Sequence, residues 1–169
     1  EYADLLVSLG KLEEALTVLN KVRPDPERAT TVTIRMAEIT HAAGRTAEAH
    51  SILAGLRQKN PDDSEVLAAD SQLLLKESKL DQALSMARAA LQSNPNSEAA
   101  HLALARCLVA RGELEPAKRE LQEVLNLNPG DVDARLALTK LHLTRNEIDT
   151  AIQTARDLVR LSPTNIEAR

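Results

Sequence analysis

Residues 95–129 read PNSEAAHLALARCLVARGELEPAKRELQEVLNLNP. This stretch begins and ends with a proline, the two lying 34 residues apart, and Gly112 stands near its middle. On either side of the glycine, apolar residues recur at three- and four-residue spacing, which is typical of amphipathic helices. The stretch therefore predicts two helices joined at Gly112, with a turn at each end, because proline cannot continue a helix.

The same unit recurs along the chain every 34 residues, without insertion or deletion. Four columns carry the period: Pro61, Pro95, Pro129 and Pro163; Ala15, Ala49, Ala83, Ala117 and Ala151; the small residues Ala3, Ala37, Ser71, Ala105 and Thr139; and the turn residues Gly10, Gly44, Ser78, Gly112 and Asn146. Glycine and asparagine tolerate the left-handed backbone that ends a helix. The alanine and small columns predict where two antiparallel helices cross closely.

Capping residues and composition also favour an all-helical chain. Two residues after each proline stand Asp63, Ser97, Asp131 and Asn165, which are preferred helix N-cap types. Acidic pairs such as Glu13-Glu14 and Asp62-Asp63 suit the first turn of a helix or the residues before it. The apolar residues are mostly Leu, Ala, Val and Ile, and Tyr2 is the only aromatic residue. Leucine and alanine favour helices, whereas strands favour β-branched and aromatic residues.

Charge and hydropathy exclude two classes of partner. The net charge of −4 argues against nucleic acid, because backbone phosphates require clustered lysine and arginine. The longest apolar runs are only a few residues, so we expect no membrane insertion by this segment. The single cysteine, Cys107, permits no intrachain disulfide and is compatible with either a cytoplasmic or a periplasmic location.

The columns resemble those of the tetratricopeptide repeat family, a helix–turn–helix unit with a terminal proline. The resemblance implies an all-α, right-handed superhelical solenoid of antiparallel hairpins, forming one array over residues 1–169. Full repeats would span 30–63, 64–97, 98–131 and 132–165. A partial repeat at 1–29, with Pro26 displaced by one position, would precede them, and the start of a further helix at 166–169 would follow. Pentatricopeptide RNA readers and longer helical repeats fit less well, since the period here is 34 and the chain is acidic.

The two ends of the array lead to a hypothesis about context. Solenoid ends need polar caps, and the last complete helix carries Ile152, Ala155, Leu158, Val159 and Leu161. We therefore expect this chain to be a piece of a longer protein, capable of self-association through its uncapped ends.

The residues that carry chemistry are few, so neither an enzyme nor a bound metal or cofactor is predicted. His41, His50, His101 and His142 are not spaced as metal ligands, and no HExxH or CxxC motif occurs. Cys107 lies on an apolar helix face and is interpreted as a buried structural thiol. Asp70 breaks a column held elsewhere by apolar residues. Because an unpaired buried carboxylate is costly, we expect Asp70 to be exposed or paired with a histidine or arginine, His101 being one candidate.

Function is predicted in a groove. In the tetratricopeptide family the first helix of each hairpin lines a concave face that holds a peptide or partner protein. The matching residues here are the row Asp4, Glu38, Gln72, Arg106 and Lys140, with Val7, His41, Leu75, Val109 and Leu143 beside it, and Ile34, Ala68, Leu102 and Leu136. The row runs from acidic to basic, which predicts an apolar floor with a charge gradient whose basic end receives an acidic group. A simpler interpretation is that the same residues are ordinary, solvated positions on their helices.

Two other functions stay open at this point. The array resembles aromatic-poor bacterial arrays, some of which serve in envelope or polysaccharide export, so it could be a self-assembling arm of such a component. It could also be an accessory arm of a larger enzyme. A chaperone-tail binder is disfavoured, because Ile34, Ala68 and Leu102 stand where its carboxylate clamp would need polar residues.

Overall fold

The computed structural model describes residues 2–21 and 25–161. Those residues form ten α-helices and no strand: α1 Tyr2–Ser8, α2 Leu12–Lys21, α3 Pro26–Ala42, α4 Thr46–Lys59, α5 Ser64–Lys76, α6 Leu80–Ser93, α7 Glu98–Arg111, α8 Leu114–Leu127, α9 Val132–Thr144 and α10 Ile148–Leu161. The molecule is an all-α helical repeat solenoid. None of the described helices is long and apolar enough to cross a bilayer.

The predicted cap and turn residues lie at the ends of these helices. Asp63, Ser97 and Asp131 accept hydrogen bonds from backbone N–H groups in the first turn of α5, α7 and α9. The residues of the turn column all have positive φ, including Ser78 at 62° and Asn146 at 60°. Their backbone is left-handed, which ends the first helix of each hairpin and reverses the chain into the second.

Within each hairpin, small residues allow the two helices to approach closely. All members of the alanine column and of the small column are buried. The Ser71 hydroxyl on α5 donates a 2.8 Å hydrogen bond to the carbonyl of Ala83 on α6. A side chain this short reaches the facing backbone only where the helices nearly touch, so the crossing point is at the predicted columns.

The hairpins stack in two layers. Each helix contacts the next one in the chain, and α5 also contacts α3 and α7, so the odd-numbered helices lie side by side. Apolar packing is continuous from α5 to α9, in a cluster that includes Ala83, Leu108 and Leu121. Two smaller clusters lie around α3 to α5 and around α1 to α3. The repeats are therefore joined by neighbour contacts alone, as expected for a solenoid.

Some details differ from the sequence predictions or lie outside them. Pro26, predicted as a displaced member of the proline column, is the first residue of α3, where a proline needs no N–H partner. On α10, Ile152 is 44% exposed, whereas Leu158 is fully buried. The predictions for Pro163, Asn165 and the helix start at 166–169 fall outside the described residues.

Candidate functional site: a groove on the first helices

A depression of about 450 Å³ is lined by residues of all five odd-numbered helices, and every described residue of its lining belongs to one of them. We call it the concave groove. Its lining residues are Val7, Arg35, Glu38, Ile39, Ala42, Gln72, Lys76, Ala99, Leu102, Arg106 and Asp133. The groove thus brings together Val7, Glu38, Gln72, Leu102 and Arg106 of the predicted set.

Three further predicted residues, Val109, Lys140 and Leu143, lie near the basic end of the row. Arg106, Val109 and Lys140 line a second, half-enclosed cavity of about 200 Å³ between α7, α8 and α9, which we call the apolar pocket. Leu143 lies one turn beyond Lys140 on α9 and is exposed. Arg106 lines both the concave groove and the apolar pocket, so the two cavities adjoin at its side chain.

The remaining predicted residues are more buried. Leu75 packs against the main core cluster, and Ile34 packs against the cluster around α3 to α5. Ala68, expected on the groove floor, is fully buried inside the core, because α5 is packed on most of its faces. Leu136 is half-buried, as is His41, which faces Glu77.

The two acids at the acidic end of the row are paired with a residue that the sequence predictions missed. Arg35 donates hydrogen bonds to Asp4 at 2.8 Å and to Glu38 at 2.9 Å. Burial is the largest single influence on Asp4 and would raise its pKa, but the lowering influences, led by the hydrogen bond from Arg35, together hold that pKa below its ordinary value. The sequence contains one sign that Arg35 is unusual, because the equivalent positions in the next three repeats hold alanine.

The basic end of the row is held differently. The Arg106 guanidinium donates to Gln72 at 2.9 Å, and its other nitrogen donates to Asp133 at 3.3 Å. Gln72 orients the guanidinium without neutralising it, and the Asp133 side chain is 65% exposed, so this ion pair is weak. Lys140 lies one repeat further on and is exposed. Arg35 therefore offsets part of the negative charge at the acidic end, while Arg106 and Lys140 lie at the basic end.

Asp70 is buried and paired. Its side chain is 7% exposed, and Arg57 on α4 donates to it at 2.8 Å. His50 lies 3.7 Å from its other oxygen and also hydrogen-bonds to Glu77 at 2.6 Å. The suggestion of His101 as partner was wrong, because His101 instead bonds Glu120 and the carbonyl of Pro95.

Glu77 is the acceptor at the centre of this polar cluster. Lys79 lies 2.7 Å from one of its oxygens, and His50 hydrogen-bonds to the other. Burial by itself would raise the pKa of Glu77, but the hydrogen bonds from Lys79 and His50 outweigh burial and lower it. The cluster is structural in character, since it joins α4 to α5.

The other chemistry-bearing residues are packed as predicted. His101 and His142 are buried, and His142 hydrogen-bonds to Glu147 at 2.5 Å. Cys107 is fully buried beside Ser71, and burial raises the pKa of its thiol. No group of three or more His, Cys, Asp or Glu side chains in the described part of the chain is placed to hold a metal ion.

Family comparisons agree with this architecture. Two tetratricopeptide repeat models match residues 74–131 and 108–166, which together make up more than half of the chain. The chain therefore belongs to the tetratricopeptide repeat family. A comparison with curated protein sequences finds no match.

Solved structures share the fold at low sequence identity. TTC0263, a tetratricopeptide protein of Thermus thermophilus, has a TM-score of 0.79 at 22% identity, over 99% of this chain and 92% of its own. YrrB is described as a tetratricopeptide protein with an unusual peptide-binding site. It has a TM-score of 0.64 at 20% identity, over 99% of this chain and 86% of its own. MamA of Desulfovibrio magneticus RS-1 has a TM-score of 0.64 at 17% identity, over 98% of this chain and 93% of its own.

Proposed function

We propose that this array is a protein-interaction scaffold that binds an extended segment of a partner protein in its concave groove. One observation carries the proposal: five successive first helices share a single open depression with apolar and charged lining residues. A surface of this kind offers many weak contacts along an extended chain.

The cationic end of the groove would set the orientation of the bound partner segment. Arg106 and Lys140 are equivalent residues of successive repeats, so their positive charges lie in one row on adjacent helices. An acidic group of the partner would replace the weak pairing of Arg106 with Asp133 by a stronger one. At the other end, Arg35 is already bonded to two carboxylates, so an acidic partner gains little there.

The fold relatives are consistent with this role. YrrB has the same fold and is described as having a peptide-binding site. A self-assembling arm and an accessory arm of an enzyme are compatible with the same groove, since both would use it for protein contacts.

A charge-reversal capture experiment tests the proposal. The wild-type array and Arg106→Glu/Lys140→Glu are immobilised, and proteins retained from a lysate of the source organism are compared by mass spectrometry. The control is Arg119→Glu/Arg156→Glu, which makes the same charge change at exposed residues of α8 and α10. We expect the groove variant, and not the control, to lose a specific set of proteins at least tenfold. Equal retention by all three arrays would contradict the proposal.

A further inference from the structure

The apolar pocket is a half-enclosed space that the proposed function does not require. Leu114 and Leu121 of α8 and Leu141 of α9 form apolar walls, and the polar side chains among the described lining residues are those of Arg106, Lys140 and Thr144. Leu121 and Leu141 are buried, so the pocket reaches into the core between two repeats. Its volume of about 200 Å³ exceeds the roughly 150 Å³ of a cavity known to accept benzene.

The space has an origin in the repeat register. In the preceding repeat, Leu75 occupies the position of Val109 and packs against the core. Val109 is smaller by one methylene and is 44% exposed. Ala105 on α7 and Ala137 on α9 also line the pocket, and their small side chains take up little of its space. The chain has no Phe or Trp to fill such a gap.

Charge around the pocket selects among possible occupants. Two cations, Arg106 and Lys140, are among its lining residues, and none of the described lining residues is a carboxylate. Asp133, which contacts Arg106, lies on the groove side of that residue and is mostly exposed. An apolar side chain carrying a carboxylate beside it therefore complements both the walls and the rim.

We propose that the apolar pocket anchors a leucine-sized apolar side chain of an extended partner segment, with an adjacent aspartate or glutamate paired to Arg106 and Lys140. The inference rests on the proposed function, because the pocket adjoins the concave groove and the same segment would continue into it. The anchor fills space between two repeats, so it would fix the position of the partner along an otherwise open groove.

Methyl NMR titration with short blocked peptides tests this directly. The probe is an acetylated, amidated peptide containing Asp-Leu-Asp, and the comparison peptides contain Asp-Ser-Asp and Lys-Leu-Lys. We expect the Asp-Leu-Asp peptide to shift the methyl signals of Val109, Leu121 and Leu141. It should bind at least tenfold more tightly than the Asp-Ser-Asp peptide, because burying a leucine side chain contributes at least this factor. It should also bind at least tenfold more tightly than the Lys-Leu-Lys peptide, because the lysines of that peptide would be repelled by Arg106 and Lys140.

Pocket-filling variants separate this inference from the broader proposal. Ala137→Leu and, more conservatively, Val109→Leu should weaken the Asp-Leu-Asp peptide at least threefold, and Ala47→Leu on the exposed face of α4 should not. No shift at the pocket methyls, or equal binding of the serine peptide, overturns the anchor. If the filled variants still retain the partners that Arg106→Glu/Lys140→Glu loses, the anchor is wrong and the scaffold proposal stands. Equal retention by every variant overturns both.

Discussion

The hydrogen bond from Ser71 to the Ala83 carbonyl shows how closely the two helices of a repeat approach each other. A hydroxyl one carbon from the backbone donates across the hairpin at 2.8 Å. Ala83 itself is fully buried, so no volume remains for a larger side chain at this crossing. The alanine column is therefore a steric requirement of the hairpin rather than a consequence of helix propensity.

Replacing Ala83 by leucine should destabilise the array by about 1–3 kcal/mol, because overpacking forces the helices apart. Urea denaturation followed by circular dichroism measures the change. Ala47→Leu, at an exposed position of α4, serves as the control and should change stability by less than about 0.5 kcal/mol. Equal effects of the two substitutions would show that the crossing is not tightly packed.

The Glu77 carboxylate should contribute stability that depends on pH. Its folded-state pKa lies below the ordinary value of 4.5. Its contribution is therefore fully present above pH 4.5 and is lost as the pH falls through the folded pKa. Glu77→Gln should cost about 1–2 kcal/mol near neutral pH, since it removes charged hydrogen bonds, and should cost little in acid.

Measuring denaturant midpoints of Glu77→Gln and wild type from neutral to acidic pH checks this expectation. Glu48→Gln removes an exposed carboxylate from the neighbouring helix α4 and should have almost no effect at any pH. A difference between Glu77→Gln and wild type that persists unchanged into acid would contradict the assigned role.

Single residues also mark the limit of prediction from sequence. The cost of a buried charge predicted that Asp70 would be exposed or paired with a histidine or arginine, but not which one. Arg57 lies 13 residues earlier on the preceding helix, and only the packing angle of α4 on α5 selects it over His101. Arg35 was missed for a related reason, because its partners belong to two different helices.

Among the elements, the α4–α5 junction contains a cluster of charged side chains, including the pair of Asp70 with Arg57. Asp70 occupies a column where Leu104 and Leu138 stand in the following repeats, so an ion pair replaces an apolar contact there. Buried ion pairs contribute little net stability, because desolvation offsets attraction. Helix boundaries, caps and turns were predictable at this scale, because each depends on a residue within a few positions.

Restoring the apolar column should not weaken the junction. We expect Asp70→Leu/Arg57→Met to be at least as stable as wild type, and Arg57→Met alone to lose about 2 kcal/mol because it leaves a buried carboxylate underpaired. Equilibrium denaturation of the two variants measures this. A double variant as unstable as the single one would contradict the interpretation of Asp70 as a replaceable structural residue.

For the whole molecule, the 34-residue period predicted the solenoid because every repeat needs only its neighbours to bury its apolar face. The period could not predict the shape of the surface. The concave groove depends on how five helices are inclined to one another, and the apolar pocket depends on how α7, α8 and α9 pack together. The period also could not predict that Arg35 offsets part of the negative charge at the acidic end of the groove.

Site-specific photocrosslinking tests the central claim, that partners bind in the concave groove. A photoreactive p-benzoylphenylalanine replaces Lys76, an exposed residue of the groove lining, or Arg119, an exposed residue of α8. After irradiation with the proteins captured by the array, we expect adducts from position 76 and few from position 119. Adducts from position 119 alone, or in equal yield from both, would contradict the claim.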